Sequence, residues 1–275
     1  MSPESQNTVP VALTIAGSDN SAGAGIQADL KTFSAAGVYG VTAITCVVAE
    51  VPGRVAAIQP VDPEIIRQQI ELVARHFPIR AVKTGMLHSA AVIEVVAEFF
   101  MHWGSLKRRP PLVVDPVMVA TSGDALLEPG AVTLYCDRLF PLARLVTPNL
   151  DEVAVLVGRK VEDLDGMRVA GLELADGYGV PFLVKGGHLR GETAIDLLVF
   201  PGGRIEEFQA PFTRGVSTHG TGCTYSAAVT ARLALGFDLI EAVRDAKLYV
   251  SAAIEHHFRW QRSEEPPVDA LNHFP

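Results

Sequence analysis

The feature that most restricts the fold is a rhythm of short apolar runs separated by longer segments of helical period. Val11–Ile15, Val41–Val48, Ala81–Lys83, Leu112–Val114, Arg144–Val146 and Phe182–Val184 read as strands. Several are apolar on both faces, as in a parallel sheet covered on each side. Helical segments are predicted near 26–36, 63–76, 89–103, 129–138, 150–157 and 164–177. This alternation predicts an α/β fold of three layers, built on a doubly wound, mainly parallel sheet. Beyond Lys185 the pattern changes. Ala194–Phe200 and Arg204–Phe208 flank Pro201-Gly202-Gly203, a hairpin signal. Two helices follow, near 222–235 and 238–258, with Gly236 and Asp238 as stop and start signals. No linker or repeat divides the chain. Residues 11–260 are therefore expected to form one domain with little or no separate lid, between a flexible leader at 1–10 and an irregular tail at 261–275.

Composition narrows the function. The chain of 275 residues is 48% apolar and 20% charged, ample for a buried core. Its net charge of −8 argues against nucleic acid, which needs a basic face. A single triphosphate remains compatible, because backbone N–H groups, a lysine and a metal hold it. No segment approaches the roughly 20 apolar residues that span a membrane, and MSPESQNTVP has no signal-peptide character. Cys46, Cys136 and Cys223 fit no metal or disulfide spacing. A cytoplasmic protein is expected.

Five segments carry candidate chemistry. In Ser217-Thr218-His219-Gly220-Thr221-Gly222-Cys223-Thr224, small residues lead into an Ala-rich helix. Its uncovered N–H groups and positive dipole end can hold a phosphate, or the charge on a phosphoryl group in transfer. A glycine-rich cap without a ligand is the plain alternative. Cys223 falls in the first turn, where the dipole lowers a thiol pKa and makes a proton acceptor available; the alternative is a small buried apolar residue. Gly23-Ala24-Gly25-Ile26-Gln27-Ala28 matches the dinucleotide fingerprint, with Glu50 placed as a ribose acid. Against that, the first glycine comes late after the strand. Asn149 with Glu152 fits a capping box or a metal-linked pair. Lys185 before Gly186-Gly187 offers a mobile positive charge, and Asp115 ends a buried strand. Ligands gather at the carboxyl ends of strands in open α/β sheets, so Gly17, Glu50, Asp115, Asn149 and Lys185 are expected along one edge.

Together these segments resemble the hydroxymethylpyrimidine and hydroxymethylpyrimidine-phosphate kinases of the ribokinase-like superfamily. The likeness runs from about Ala12 to Tyr249 and includes Leu13–Asp19, Gly23–Phe33, Lys83–Leu87, Thr147–Leu150, Lys185–His188 and Thr218–Cys223. It implies an anion hole at Gly220, Thr221, Gly222 and Cys223, with Cys223 where related sugar kinases carry a catalytic Asp. It implies ATP contacts from Lys185, Thr218 and Asn149, and magnesium held through water by Asp115 and Glu152. Gly17, Ala24, Asp29, Met86 and Val117 would line the pyrimidine pocket. The expected reaction is ATP-dependent phosphorylation of 4-amino-5-hydroxymethyl-2-methylpyrimidine and its monophosphate, in thiamin synthesis, by a homodimer. One position departs: Glu50 stands where the family usually has Gln. Two readings follow, a proton shared between Glu50 and an aminopyrimidine, or a different heterocycle. Pyridoxal kinase activity, a non-catalytic nucleotide or vitamin-precursor sensor, and a nicotinamide-dependent oxidoreductase are the competing functions.

Overall fold

A computed structural model of the chain describes residues 9–103, 109–118, 127–128, 130–187, 189, 192–216, 219–261 and 267–275. Six strands run parallel: β1 (Val11–Asp19), β2 (Tyr39–Val51), β4 (Ile79–Thr84), β5 (Leu112–Val114), β6 (Leu145–Val146) and β7 (Phe182–Lys185). Three more pair antiparallel at the two edges: β3 (Arg54–Pro60), β8 (Thr193–Val199) and β9 (Ile205–Pro211). The order across the sheet is β3-β2-β1-β4-β5-β6-β7-β8-β9.

Strand side chains alternate between two cores, which explains why the runs are apolar throughout. On one face Leu13, Ile15, Val82, Val114, Val146 and Val184 pack with residues of α2 (Pro63–His76), α3 (Ala90–Trp103), α5 (Leu150–Val157) and α6 (Leu164–Tyr178). On the other face Ala12, Ala81, Val113, Leu145 and Leu183 meet α1 (Gly25–Ala35), α7 (Thr221–Leu235) and α8 (Leu239–Glu255). A short helix, α4 (Ala131–Leu134), runs into a π-type turn at Tyr135–Leu139 instead of continuing as the predicted helix to 138. The chain leaves β1 through α1 on one face and reaches β4 through α2 on the other. The connection therefore reverses between β1 and β4, and a crevice opens at their carboxyl ends.

Two expectations fail. β3 is absent from the sequence reading because Arg54–Pro60 lies on an edge with most residues at least partly exposed, which removes the alternating pattern. Pro52-Gly53 is the hairpin signal that could have revealed it. The tail is not wholly irregular either. The last helix stops at Glu255, and β10 (Phe258–Trp260) pairs antiparallel with β11 (Val268–Ala270). Arg259 grips Asp269 through Nε at 2.7 Å and Nη2 at 2.8 Å.

Behind this hairpin His273 is buried against α7, its Nε2 3.1 Å from Thr224 Oγ1. Burial, aided by the Lys31 charge, holds its imidazole down to about 4. A base with a depressed folded pKa stabilises the fold fully above its unfolded value, near 6.5, and loses that contribution as pH falls toward 4. The loss should be about 2 kcal/mol, discounted for solvent that screens part of the ring. Urea unfolding of wild type and His273→Asn between pH 7 and 4 measures it. The wild type should lose more stability on acidification; parallel curves would remove His273 from the account.

Candidate active site

The crevice is a cavity of about 790 Å³ lined by residues from both sides of the reversal point. It brings together Gly17, Ala24, Glu50, Met86, Val117, Asp115, Asn149, Glu152, Lys185, Gly220, Thr221, Gly222 and Cys223, all expected from the sequence. Thr218 lies outside the described residues. Glu50, Val51, Gly53 and Arg54, at the β2–β3 turn, line the cavity.

The start of α7 is built to leave donors free. Its N-cap is Gly220, with φ of +78° and no capping side chain. A Cβ there would lie 1.8 Å from the carbonyl oxygen of Gly23, so only glycine allows the two loops to meet. The N–H groups of the first turn have no partner within the helix. Thr221 Oγ1 is also buried without a hydrogen bond among the described residues. A bare cap would leave that hydroxyl unsatisfied, whereas an anion would satisfy it. A Cβ on Gly222 would stand 3.1 Å from Lys185 Nζ, so the lysine head reaches the same turn.

Lys185 is itself held by Asp115, Nζ to Oδ1 at 3.0 Å. Asp115 also accepts from Thr147 Oγ1 at 3.2 Å and Ser226 Oγ at 3.0 Å. Burial opposes ionisation, yet Lys185 and Lys83 keep the Asp115 carboxyl below its ordinary range. The Asn149–Glu152 capping box is present: Asn149 Oδ1 accepts from Glu152 N at 2.9 Å, and Glu152 Oε2 from Asn149 N at 2.8 Å. Glu152 Oε1 accepts from Met118 N at 3.3 Å. The cap does not exclude a metal role, since each carboxylate oxygen retains acceptor capacity toward the cavity. Burial, opposed by Lys185 and reinforced by Asp115, pushes the Glu152 carboxyl up to about 7. Val117, between Asp115 and Met118, has φ of +41°, a strained value for a β-branched residue.

Two expectations are corrected here. Asp29 does not line the pocket. It is fully buried and accepts from Lys83 Nζ at 2.8 and 2.9 Å and from Thr14 Oγ1 at 2.6 Å, so it holds Lys83 from beneath. Lys83 is the residue that lines the cavity, and a lysine at the end of an otherwise apolar strand was its signal. Cys223 does not have a lowered thiol pKa. Burial, with the charges of Asp115 and Asp29, outweighs Lys83 and the Gly25 N–H, pushing it up to about 11. The geometry agrees with the sequence in disfavouring a pyrophosphate at the Gly23–Ala28 loop. Asp19 Oδ2 accepts from Ala24 N at 2.8 Å and Asp19 Oδ1 from Ser21 N at 2.6 Å, so a carboxylate already fills the mouth of that loop. His219, unassigned from the sequence, closes the loop with Nε2 3.1 Å from Asp19 Oδ2.

Residues 19–268 match the family model described as phosphomethylpyrimidine kinase. The chain belongs to the phosphomethylpyrimidine kinase family. A hydroxymethylpyrimidine/phosphomethylpyrimidine kinase of Rhizobium meliloti is 45% identical over 267 residues, covering 91% of this chain and 98% of its own. Among solved structures, a phosphomethylpyrimidine kinase from Clostridium difficile is 41% identical, with a TM-score of 0.76 over 90% of this chain and 100% of its own. The ADP complex of a Bacillus subtilis pyridoxal kinase is 36% identical, with a TM-score of 0.84 over 97% and 98%. As a phosphomethylpyrimidine kinase family member the chain is a phosphotransferase with the ribokinase-like fold, and the oxidoreductase reading falls. Among the described residues no helix is long and apolar enough to cross a membrane.

Proposed function

We propose that this protein phosphorylates the hydroxymethyl group of 4-amino-5-hydroxymethyl-2-methylpyrimidine with ATP, and then the resulting monophosphate, in thiamin synthesis. The observation that carries the reading is the uncapped start of α7, where Thr221 Oγ1 is an orphan and Lys185 stands beside Gly222. Free N–H donors and one buried cation suit the spread negative charge of a phosphoryl group in transfer. The apolar end of the cavity, with Val48, Met86 and Val117, accepts the flat ring. Phe212, Thr213 and Val250, which line the same cavity, are assigned to the nucleotide. An ADP complex of the related pyridoxal kinase supports this choice.

Cys223, in the first turn of α7, lines the same cavity. With its pKa near 11 the thiol stays protonated at rest. Only the minor thiolate form can accept a proton, so the sulfur first gives its own to solvent and then takes the hydroxyl proton late, as the O–P bond forms. Asp115 and Glu152 offer hard oxygen donors of the kind magnesium binds through water, and when bound that ion would neutralise charge on the phosphates. Assembly as a homodimer and a cytoplasmic location are part of the same proposal, tested by light scattering and fractionation.

A second reading has one observation in its favour. The fold overlays a pyridoxal kinase with a TM-score of 0.84, against 0.76 for the phosphomethylpyrimidine kinase. Incubation with ATP, magnesium and each alcohol separately, with products identified by mass spectrometry, decides between them. Mono- and diphosphorylated pyrimidine is the expected result. Turnover of pyridoxal alone would overturn the proposal, and absence of any turnover would favour the sensor.

A further inference from the structure

Glu50 ends up in an unusual setting. Its backbone N–H donates to Asn20 Oδ1 at 2.6 Å, tying the end of β2 to the loop after β1. Its side chain is half-buried on the cavity wall, next to the apolar group of Val48, Met86 and Val117. No described residue donates a hydrogen bond to its carboxylate. The ionisable groups that face it are Asp19 from the β1–α1 loop, His219 from the loop before α7, Cys46 on its own strand and Arg54 across the hairpin. Ligand atoms of Asp19, Glu50 and His219 lie within 4.8 Å of one another. The trio is not a cation site, because the Asp19 oxygens already accept from Ser21, Ala24 and His219. Glu50 is thus the acidic group left open to a ligand. Burial and the Asp19 charge raise its pKa, with His219 opposing them.

We infer that Glu50 is the specificity-determining residue of this pocket and that it makes heterocycle binding depend on the capture of one proton. The inference rests on the aminopyrimidine reading above. An ionised carboxylate only accepts hydrogen bonds. The edge of a 4-aminopyrimidine presents an amino donor beside a ring-nitrogen acceptor, so a neutral ring and an ionised Glu50 make one bond and one repulsion. One added proton, on the ring nitrogen or on the carboxyl, converts the encounter into two parallel hydrogen bonds. A pyridine alcohol with an acidic ring hydroxyl has no amino donor to offer, and its ionised oxygen is repelled by both Glu50 and Asp19. The pocket therefore selects the aminopyrimidine over such pyridines. A Gln at this position carries donor and acceptor together and needs no proton.

Isothermal titration of the full chain with the pyrimidine alcohol tests this, run from pH 6.5 to 9 in buffers of different ionisation enthalpy. Proton uptake should rise toward one per heterocycle in the wild type and stay near zero in Glu50→Gln. Affinity of the wild type should weaken by up to about tenfold per pH unit once the free groups are deprotonated, while that of Glu50→Gln stays flat. His219→Gln should keep the uptake. If it abolishes the uptake instead, His219 is the proton carrier and the inference is wrong. Should Glu50→Gln not fold, an analogue that keeps the amino group but has C–H in place of the adjacent ring nitrogen, measured on the wild type, serves the same end: it should bind without uptake. Wild-type binding with no proton uptake at any pH overturns the role of Glu50 but leaves the kinase reading standing. No binding of the pyrimidine at any pH overturns both.

Discussion

Lys185→Met is expected to lower kcat/KM for phosphoryl transfer by roughly 10³-fold, the scale seen when a buried cation is removed from such a transition state. Lys185 Nζ sits 3.0 Å from Asp115 Oδ1, and the two side chains are 11% and 3% exposed. Burial works against its charge, but Asp115 and Glu152 outweigh burial and keep the ammonium protonated beyond its ordinary range. Its head also lies beside Gly222 at the start of α7, where the transferring group is proposed to sit. Removing it takes away the positive charge and leaves Asp115 with the hydroxyls of Thr147 and Ser226 and the more distant charge of Lys83. Lys185→Arg keeps the charge but widens the head in a confined place, so it should recover part of the loss. Steady-state kinetics on protein first shown to be folded by thermal melting provides the test. Activity of Lys185→Met within tenfold of wild type would mean that the lysine does not act on the phosphoryl group.

Lys83→Met should cost about 3–5 kcal/mol of stability, because it strands a carboxylate in the core. Both Lys83 and Asp29 are fully buried. Burial raises the Asp29 pKa, with Lys83 opposing it, so the unpaired acid can shed part of the cost by taking a proton. The melting temperature should fall by about 10 °C for a domain of this size. Lys83→Met with Asp29→Asn replaces the ion pair by a neutral pair of similar volume, and most of the stability should return. Activity should not return with it. The Lys83 ammonium, held protonated against burial chiefly by Asp29, also faces Cys223 and is the nearby charge that lowers the thiol pKa. A double variant that melts as low as the single would refute the ion-pair account. One that regains full activity would show that Lys83 serves only the fold.

Features decided by a few neighbouring residues were legible without a structure. The strands at Val11, Leu112 and Phe182 are apolar on both faces because helices cover both, and that pattern survives in one dimension. Caps were equally readable: Asn149 with Glu152, Asp238 at a helix start and Gly236 at a helix end each act over four residues or fewer. The rule that ligands meet strand carboxyl ends then placed Gly17, Glu50, Asp115, Asn149 and Lys185 around one cavity.

The tertiary structure alone decided the electrostatics. The helix start that should lower the Cys223 pKa is a local effect, but burial, with the charges of Asp115 and Asp29, pushes it up instead. Asp19 meets His219 across 200 positions, and Asp29 meets Lys83 across 54. Desolvation depends on which distant segments close over a group, and no pattern within a short window of sequence carries that information.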